Sequence, residues 1–162
     1  MAIIEVYNGY SEYRDENAIR DVINYAVDSQ YRQDYRCYGI INIPETEYAV
    51  NAFEYIQKRY GYTEGVRLHH IVISPQEKEL DMVDTSDLAK LVTDYFEMVD
   101  VQCIVAEHYG SAKNIYHPHL HVIINHIKLG GKKFYGDNQS YYALANYLME
   151  KTGKPFSVYW KR

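Results

Sequence analysis

Three histidines fall within five residues, His117, His119 and His121, and lead into the apolar run Val122-Ile-Ile124. Along an extended strand side chains alternate. His117, His119, His121, Ile123 and Asn125 then share one face, while Pro118, Leu120, Val122 and Ile124 turn to a core. Three imidazoles in a row pack poorly against other side chains. Neutral imidazole is a common ligand for divalent metal, and two histidines two apart on a strand reach one ion without moving the backbone. Such an ion polarises a phosphoryl oxygen and offsets charge that develops in a transition state. A third donor is expected from His108, at the end of the preceding strand, because residues 109–116 read as the connection between antiparallel neighbours. For a lone histidine, a bond to backbone or solvent would be the better reading. Three together with a fourth upstream favour metal binding or catalysis.

The elements that must hold this face follow from periodicity. Apolar residues alternate or run together in 2–7, 37–43, 67–73, 101–106 and 120–127, which predicts five strands, with 156–160 available as a sixth. Helical spacing links Ile19, Val22, Ile23, Ala26 and Val27, and again Leu88, Leu91, Val92, Tyr95 and Phe96, where Thr85 or Ser86 is the expected N-cap. Ala49, Ala52, Phe53 and Ile56 make a third stripe, and Tyr141, Leu144, Ala145 and Leu148 a fourth, closed by Gly153. The expected fold is α+β: a largely antiparallel five-stranded sheet, its two central strands consecutive within 101–127, with helices on one face and the other face free for a ligand.

A length of 162 residues suits a single domain spanning 1–162, and neither an internal repeat nor a low-complexity linker divides it. Two cysteines without Cys-x-x-Cys spacing, no secretory segment and no membrane-length apolar run predict a cytoplasmic protein. The net charge of −5 argues against a protein that coats nucleic acid non-specifically, since such affinity comes from many Lys and Arg releasing counterions. A local cationic site remains compatible with it. Nineteen tyrosines mean that no single Tyr stands out as a nucleophile by rarity.

The string His117-Pro-His-Leu-His-Val-Ile-Ile-Asn125, followed by Gly131-Lys-Lys-Phe134, resembles the third motif of plasmid-mobilisation relaxases, single-strand DNA nickases of the HUH (His-hydrophobic-His) endonuclease class. Leu68-His-His-Ile-Val-Ile-Ser-Pro75 is similar to that family's second motif, an apolar strand ending in Ser at a DNA phosphate. Ala18-Ile-Arg-Asp-Val-Ile-Asn-Tyr-Ala26 is similar to its first, a helix carrying the nucleophilic Tyr. The resemblance implies a relaxase/Rep-like palm of ferredoxin/RRM type, Tyr25 as nucleophile, Ser74 at phosphate, and His108, His119 and His121 around a divalent metal. Mn²⁺ or Mg²⁺ is expected, with Zn²⁺, Ni²⁺ or Co²⁺ also suited to imidazole. It further implies attack on single-stranded DNA at an origin of transfer or replication, a 5′-phosphotyrosine link, accessory DNA-processing proteins, no membrane, and a bacterial host carrying a plasmid, phage or integrative element. Lys132 and Lys133, a short turn after the metal strand, are candidate DNA contacts, as is Arg67. Asn125 would orient a ligand or bind phosphate, or simply end the strand. One departure stands out: many relatives carry an acid two residues after the first ligand His, where this chain reads His108-Tyr-Gly-Ser. The ligand set then either shifts, with His117 taking part, or catalysis is weakened.

Other readings compete. Tyr25 lies at the margin of its apolar stripe, so a half-buried packing Tyr is a plain alternative. Tyr147, four residues before Lys151, follows the histidines in the order found in rolling-circle replication initiators. The same histidine run fits the histidine-triad pattern of metal-free nucleotide hydrolases, although no Gly-Gln-Ser/Thr pattern precedes His117. A non-catalytic DNA-binding module of the same fold is the third alternative.

Overall fold

Six strands and four helices carry these patterns in the computed structural model, which describes residues 2–7, 13–27, 35–75, 84–110 and 116–161, the side chains of 35–38, 110, 116 and 117 excepted. The strands are β1 (Ala2–Tyr7), β2 (Tyr35–Ile41), β3 (Leu68–Pro75), β4 (Cys103–Gly110), β5 (Tyr116–Asn125) and β6 (Phe156–Lys161). The helices are α1 (Ala18–Val27), α2 (Ala49–Arg59), α3 (Thr85–Val99) and α4 (Asn138–Thr152). All strands join one sheet in the order β2-β4-β5-β3-β1-β6. Every neighbouring pair is antiparallel except β1 with β6. The α+β class and the antiparallel sheet are as expected, and the sheet has six strands because 156–161 pairs beside β1. Among the described residues no helix is long and apolar enough to cross a membrane.

Two helices lie on each face, which corrects the expectation that all would share one. On one face α3 and α4 bury Leu88, Val92, Phe96, Tyr141, Leu144 and Leu148 against Ile71, Ile73, Val105, Leu120, Val122 and Ile124. On the other, α1 and α2 bring Ile19, Ile23, Ala26 and Phe53 onto Leu68, Ile104, Ala106 and Ile123. Removing this apolar area from water drives both layers together. An amphipathic stripe tells which side of a helix is buried and leaves open which side of the sheet it meets. The second layer covers one end of the histidine face, so His119 and His121, nearer the other end of β5, border its edge.

Local rules set the helix ends. Asp84, rather than Thr85 or Ser86, caps α3: its carboxylate accepts from Ser86 N at 2.7 Å, and the Thr85 hydroxyl instead donates to buried Glu107 at 2.8 Å. Gly153 closes α4 in the left-handed region, φ 68°, where it takes no Cβ penalty.

A second histidine pair sits under the α3/α4 layer. His69 and His126 are both buried, with His69 Nε2 2.8 Å from His126 Nδ1. Gly136, φ 59°, lies so close that a Cβ there would collide with the His69 ring. Burial, then the neighbouring His126, lowers His69 from 6.5 to about 3; burial, then Lys133, lowers His126 to about 4. Both rings are therefore neutral in the fold at neutral pH. The unfolded chain takes up protons at 6.5 and the folded one does not, so their contribution is complete above that pH and is lost as pH falls from 6.5 toward 4. In that window His69 costs up to roughly 1.4 kcal/mol per pH unit. Urea unfolding of the protein should show a midpoint that falls from pH 7 to pH 4.5, with a distinctly shallower fall in His69→Gln. Equal pH slopes in the two proteins would refute this assignment.

Candidate metal centre

The register between β4 and β5 builds the site. His108 pairs with His119, and His121 pairs with Ala106, whose small side chain leaves room above the sheet. Paired residues point to the same face, so all three imidazoles converge, with ring centroids 4.0 Å apart for His108 and His121, 5.0 Å for His119 and His121, and 5.6 Å for His108 and His119. One donor nitrogen from each lies within 4.8 Å of the others, a spacing that one ion can bridge after small ring rotations. His108 is fully buried, His121 nearly so and His119 half-buried, so the cluster opens to solvent on the His119 side.

The hydrogen bonds fix which nitrogens face inward. His108 Nε2 donates to the carbonyl of Ala26 at 3.0 Å, which puts the proton on Nε2 and the lone pair on Nδ1. His121 Nδ1 lies 2.8 Å from His70 Nε2, and His70 Nδ1 lies 3.2 Å from the Tyr13 hydroxyl. Only one proton arrangement along this chain allows ligation by His121 Nε2: Nδ1–H of His121 donates to His70 Nε2, and Nδ1–H of His70 donates to Tyr13 Oη. Burial, then His108, holds His70 down at about 4, so the ring is neutral and able to accept that proton bond. Three converging imidazoles, two of them with an outer nitrogen engaged, are a donor set that fits a divalent ion.

The candidate residues fall into distinct groups. Tyr25 stands on α1 above the cluster, its ring edge-on to His121 at 5.5 Å and to His108 at 5.8 Å, and about half of it is exposed. Ser74 lies on the histidine face of β3, one step beyond the last pair, Ile73 with Leu120, so the register sets it opposite His119. The backbone of His117 belongs to β5, but its side chain lies outside the described residues. The strand register shifts between His108 and Gly110, so strict alternation stops there.

Other candidates lie elsewhere. Asn125 is fully buried at the far end of β5. Its amide bridges Gln57 at 2.9 Å and Gln102 at 2.8 Å and donates to the carbonyl of Phe53 at 3.3 Å, so the expected contact with DNA is corrected to a structural one. Lys132 and Lys133 are exposed beyond that same end, with Lys133 over the Tyr62 ring at 5.9 Å. The strand alone puts about 13 Å between His121 and Asn125, so neither lysine reaches the cluster. Arg67 braces its own loop through Gln57 and the carbonyls of Tyr62 and Thr63. Tyr147 packs on Tyr95 under Lys151 in the α3/α4 layer. The sheet separates it from the histidines, which removes it as their partner.

Sequence reasoning missed His70. Adjacent histidines on a strand face opposite ways, and only pairing with β5 decides that His70, rather than His69, meets His121.

The family model described as Relaxase: MobA/VirD2-like, nuclease domain matches residues 25–154. No curated protein and no solved structure matches the chain.

Loss of an outer partner of a ligating histidine typically weakens metal binding by about 10- to 100-fold. His70→Ala should lower Mn²⁺ affinity by that factor in calorimetric titration, with His70→Gln, which keeps a carbonyl acceptor, recovering part of it. Unchanged affinity in a folded His70→Ala protein would show that His70 does not position His121.

Proposed function

The chain belongs to the MobA/VirD2-like relaxase nuclease family, and from that premise we propose that it is a site-specific single-stranded DNA nickase of the HUH class that forms and reverses a 5′-phosphotyrosine bond. The observation that carries this reading is the position of Tyr25, edge-on to two of three histidines able to hold a metal ion. A half-exposed phenol beside a buried ligand cluster suits a nucleophile that must meet a long polymer substrate.

His108, His119 and His121 would hold the ion through His108 Nδ1, a His119 nitrogen and His121 Nε2. Once bound, it supplies Lewis acidity toward a non-bridging phosphoryl oxygen. Mn²⁺ or Mg²⁺ is the proposed ion; the all-imidazole set also suits Zn²⁺, Ni²⁺ or Co²⁺. Tyr25 Oη attacks phosphorus, the P–O3′ bond breaks, the phenol proton leaves to solvent and O3′ takes up a proton. The bond energy is kept in the phosphotyrosine, so attack by a 3′-OH restores the backbone without a nucleotide cofactor. Ser74, on the same face as His119, donates its hydroxyl to a phosphate oxygen. His70 and Tyr13 keep His121 in the ligating tautomer.

The substrate on this reading is origin DNA of a plasmid or other mobile element in a bacterial cytoplasm. A net charge of −5 gives little general hold on DNA, so accessory proteins would deliver the strand. Lys132 and Lys133 are left as contacts to phosphates distant from the cut.

Incubation with single-stranded oligonucleotides and Mn²⁺ should leave a denaturant-resistant protein–DNA adduct. Tyr25→Phe should reduce it at least a thousandfold and Tyr147→Phe should leave it unchanged. An adduct that persists in Tyr25→Phe would remove the assigned nucleophile. Hydrolysis of dinucleoside substrates in chelator would support the histidine-triad enzyme instead, and DNA binding with neither reaction would support a non-catalytic module.

A further inference from the structure

Beside the metal cluster a cavity of about 320 Å³ opens between α1 and the sheet. Its floor is a ladder of rings across three strands. Tyr7 on β1 stacks on His70 of β3, centroids 5.1 Å and planes 23° apart, and His70 stacks on His121 of β5 at 5.0 Å and 26°. Its wall is α1, with Val22 between Asp21 and Tyr25, and Tyr13 closes over His70 at 6.2 Å. Asp21 and Tyr25 are four residues apart on the helix, neighbours about 5–6 Å apart at Cβ. The cavity is flat-floored, mostly apolar in its lining side chains and continuous with the nucleophile.

We propose that this slot holds the base of the nucleotide adjoining the cut phosphate, and that Asp21 selects guanine there. Unpaired bases stack on aromatic rings whatever their identity, and selectivity comes from groups that meet the Watson–Crick edge. Among the described residues Asp21 is the one carboxylate in the lining. It accepts hydrogen bonds and cannot donate them. Guanine offers N1–H and the 2-amino group side by side, matching two carboxylate oxygens; adenine, cytosine and thymine each offer one donor at that edge. The phosphate, itself anionic, is repelled by Asp21, which orients the nucleotide with its base edge on Asp21 and its phosphate toward the histidines. Lys161 stands 4.7 Å over Tyr7, at the outer end of the ladder, where the departing backbone would pass.

The inference takes its substrate from the nickase reading, so its test has two arms. In the first, the full chain reacts with a randomised single-stranded library and Mn²⁺, and covalently held DNA is sequenced. Guanine should be enriched about ten- to a hundredfold at one position flanking the cut, as a bidentate base contact gives. Asp21→Asn should lose that enrichment while still forming adducts, and Val22→Trp, which fills the slot, should lose it as well. Adducts without a preferred flanking base, or a guanine preference untouched by Asp21→Asn, would overturn the proposal. The second arm needs no cleavage: dGMP and TMP are titrated in chelator while the ring protons of Tyr7 and Tyr13 are followed by NMR. dGMP should saturate at a concentration at least tenfold lower than TMP in wild type but not in Asp21→Asn. That order, with no adduct from any DNA, would discard the nickase reading and keep the slot; equal shifts or none would discard the slot whatever the nicking result.

Discussion

The pairing of β4 with β5 is the constraint on which everything else rests. With His108 opposite His119 and His121 opposite Ala106, three rings meet on one face. A slip of one residue would send His119 and His121 to the opposite face, under α3 and α4, and leave His108 alone. The register is held by burial on both sides: Leu120, Val122 and Ile124 face one helical layer and Ile123 the other. Neither face tolerates the exchange, because each slipped residue would bury an imidazole in a packed apolar layer or expose an aliphatic side chain.

At one end of β5 the polar groups are used for structure. Asn125, Gln57 and Gln102 satisfy one another and the carbonyls of Phe53 and Arg67, and His69 and His126 pair on the opposite face. At the other end the same kinds of groups converge on three histidines that could hold an ion, beside an open cavity. The two ends differ in cover. α2 and the turn before α4 close the first, whereas among the described residues α1 alone leans over the second, bringing Tyr25 and Asp21 with it. Helix α1 therefore has two parts in the site, since the carbonyl of Ala26 also sets the tautomer of His108.

Much of this was legible in the chain. Period-two alternation is unambiguous for His119 and His121, and a hairpin of two strands makes His108 their neighbour. The position of Tyr25 above the cluster came from the resemblance of Ala18–Ala26 to a relaxase motif, since its periodicity reads equally as packing. Asn125 was misread because alternation gives a face and says nothing of whether a helix lies over that part of it. His70 was missed for the complementary reason, that its partner lies on a strand 51 residues away and only register brings them together. An apolar stripe is the same whichever face of a sheet it meets, so periodicity alone does not separate the two helical layers.

On the metal-dependent reading His108, His119 and His121 together hold one divalent ion in the tautomers that the surrounding hydrogen bonds select. Anomalous diffraction from crystals soaked in Mn²⁺ tests it most directly. A single peak is expected, bonded to His108 Nδ1, His121 Nε2 and a nitrogen of His119, with His70 Nε2 still against His121 Nδ1. A peak held by His117 in place of His108, or bound at His69 and His126 instead, would contradict it.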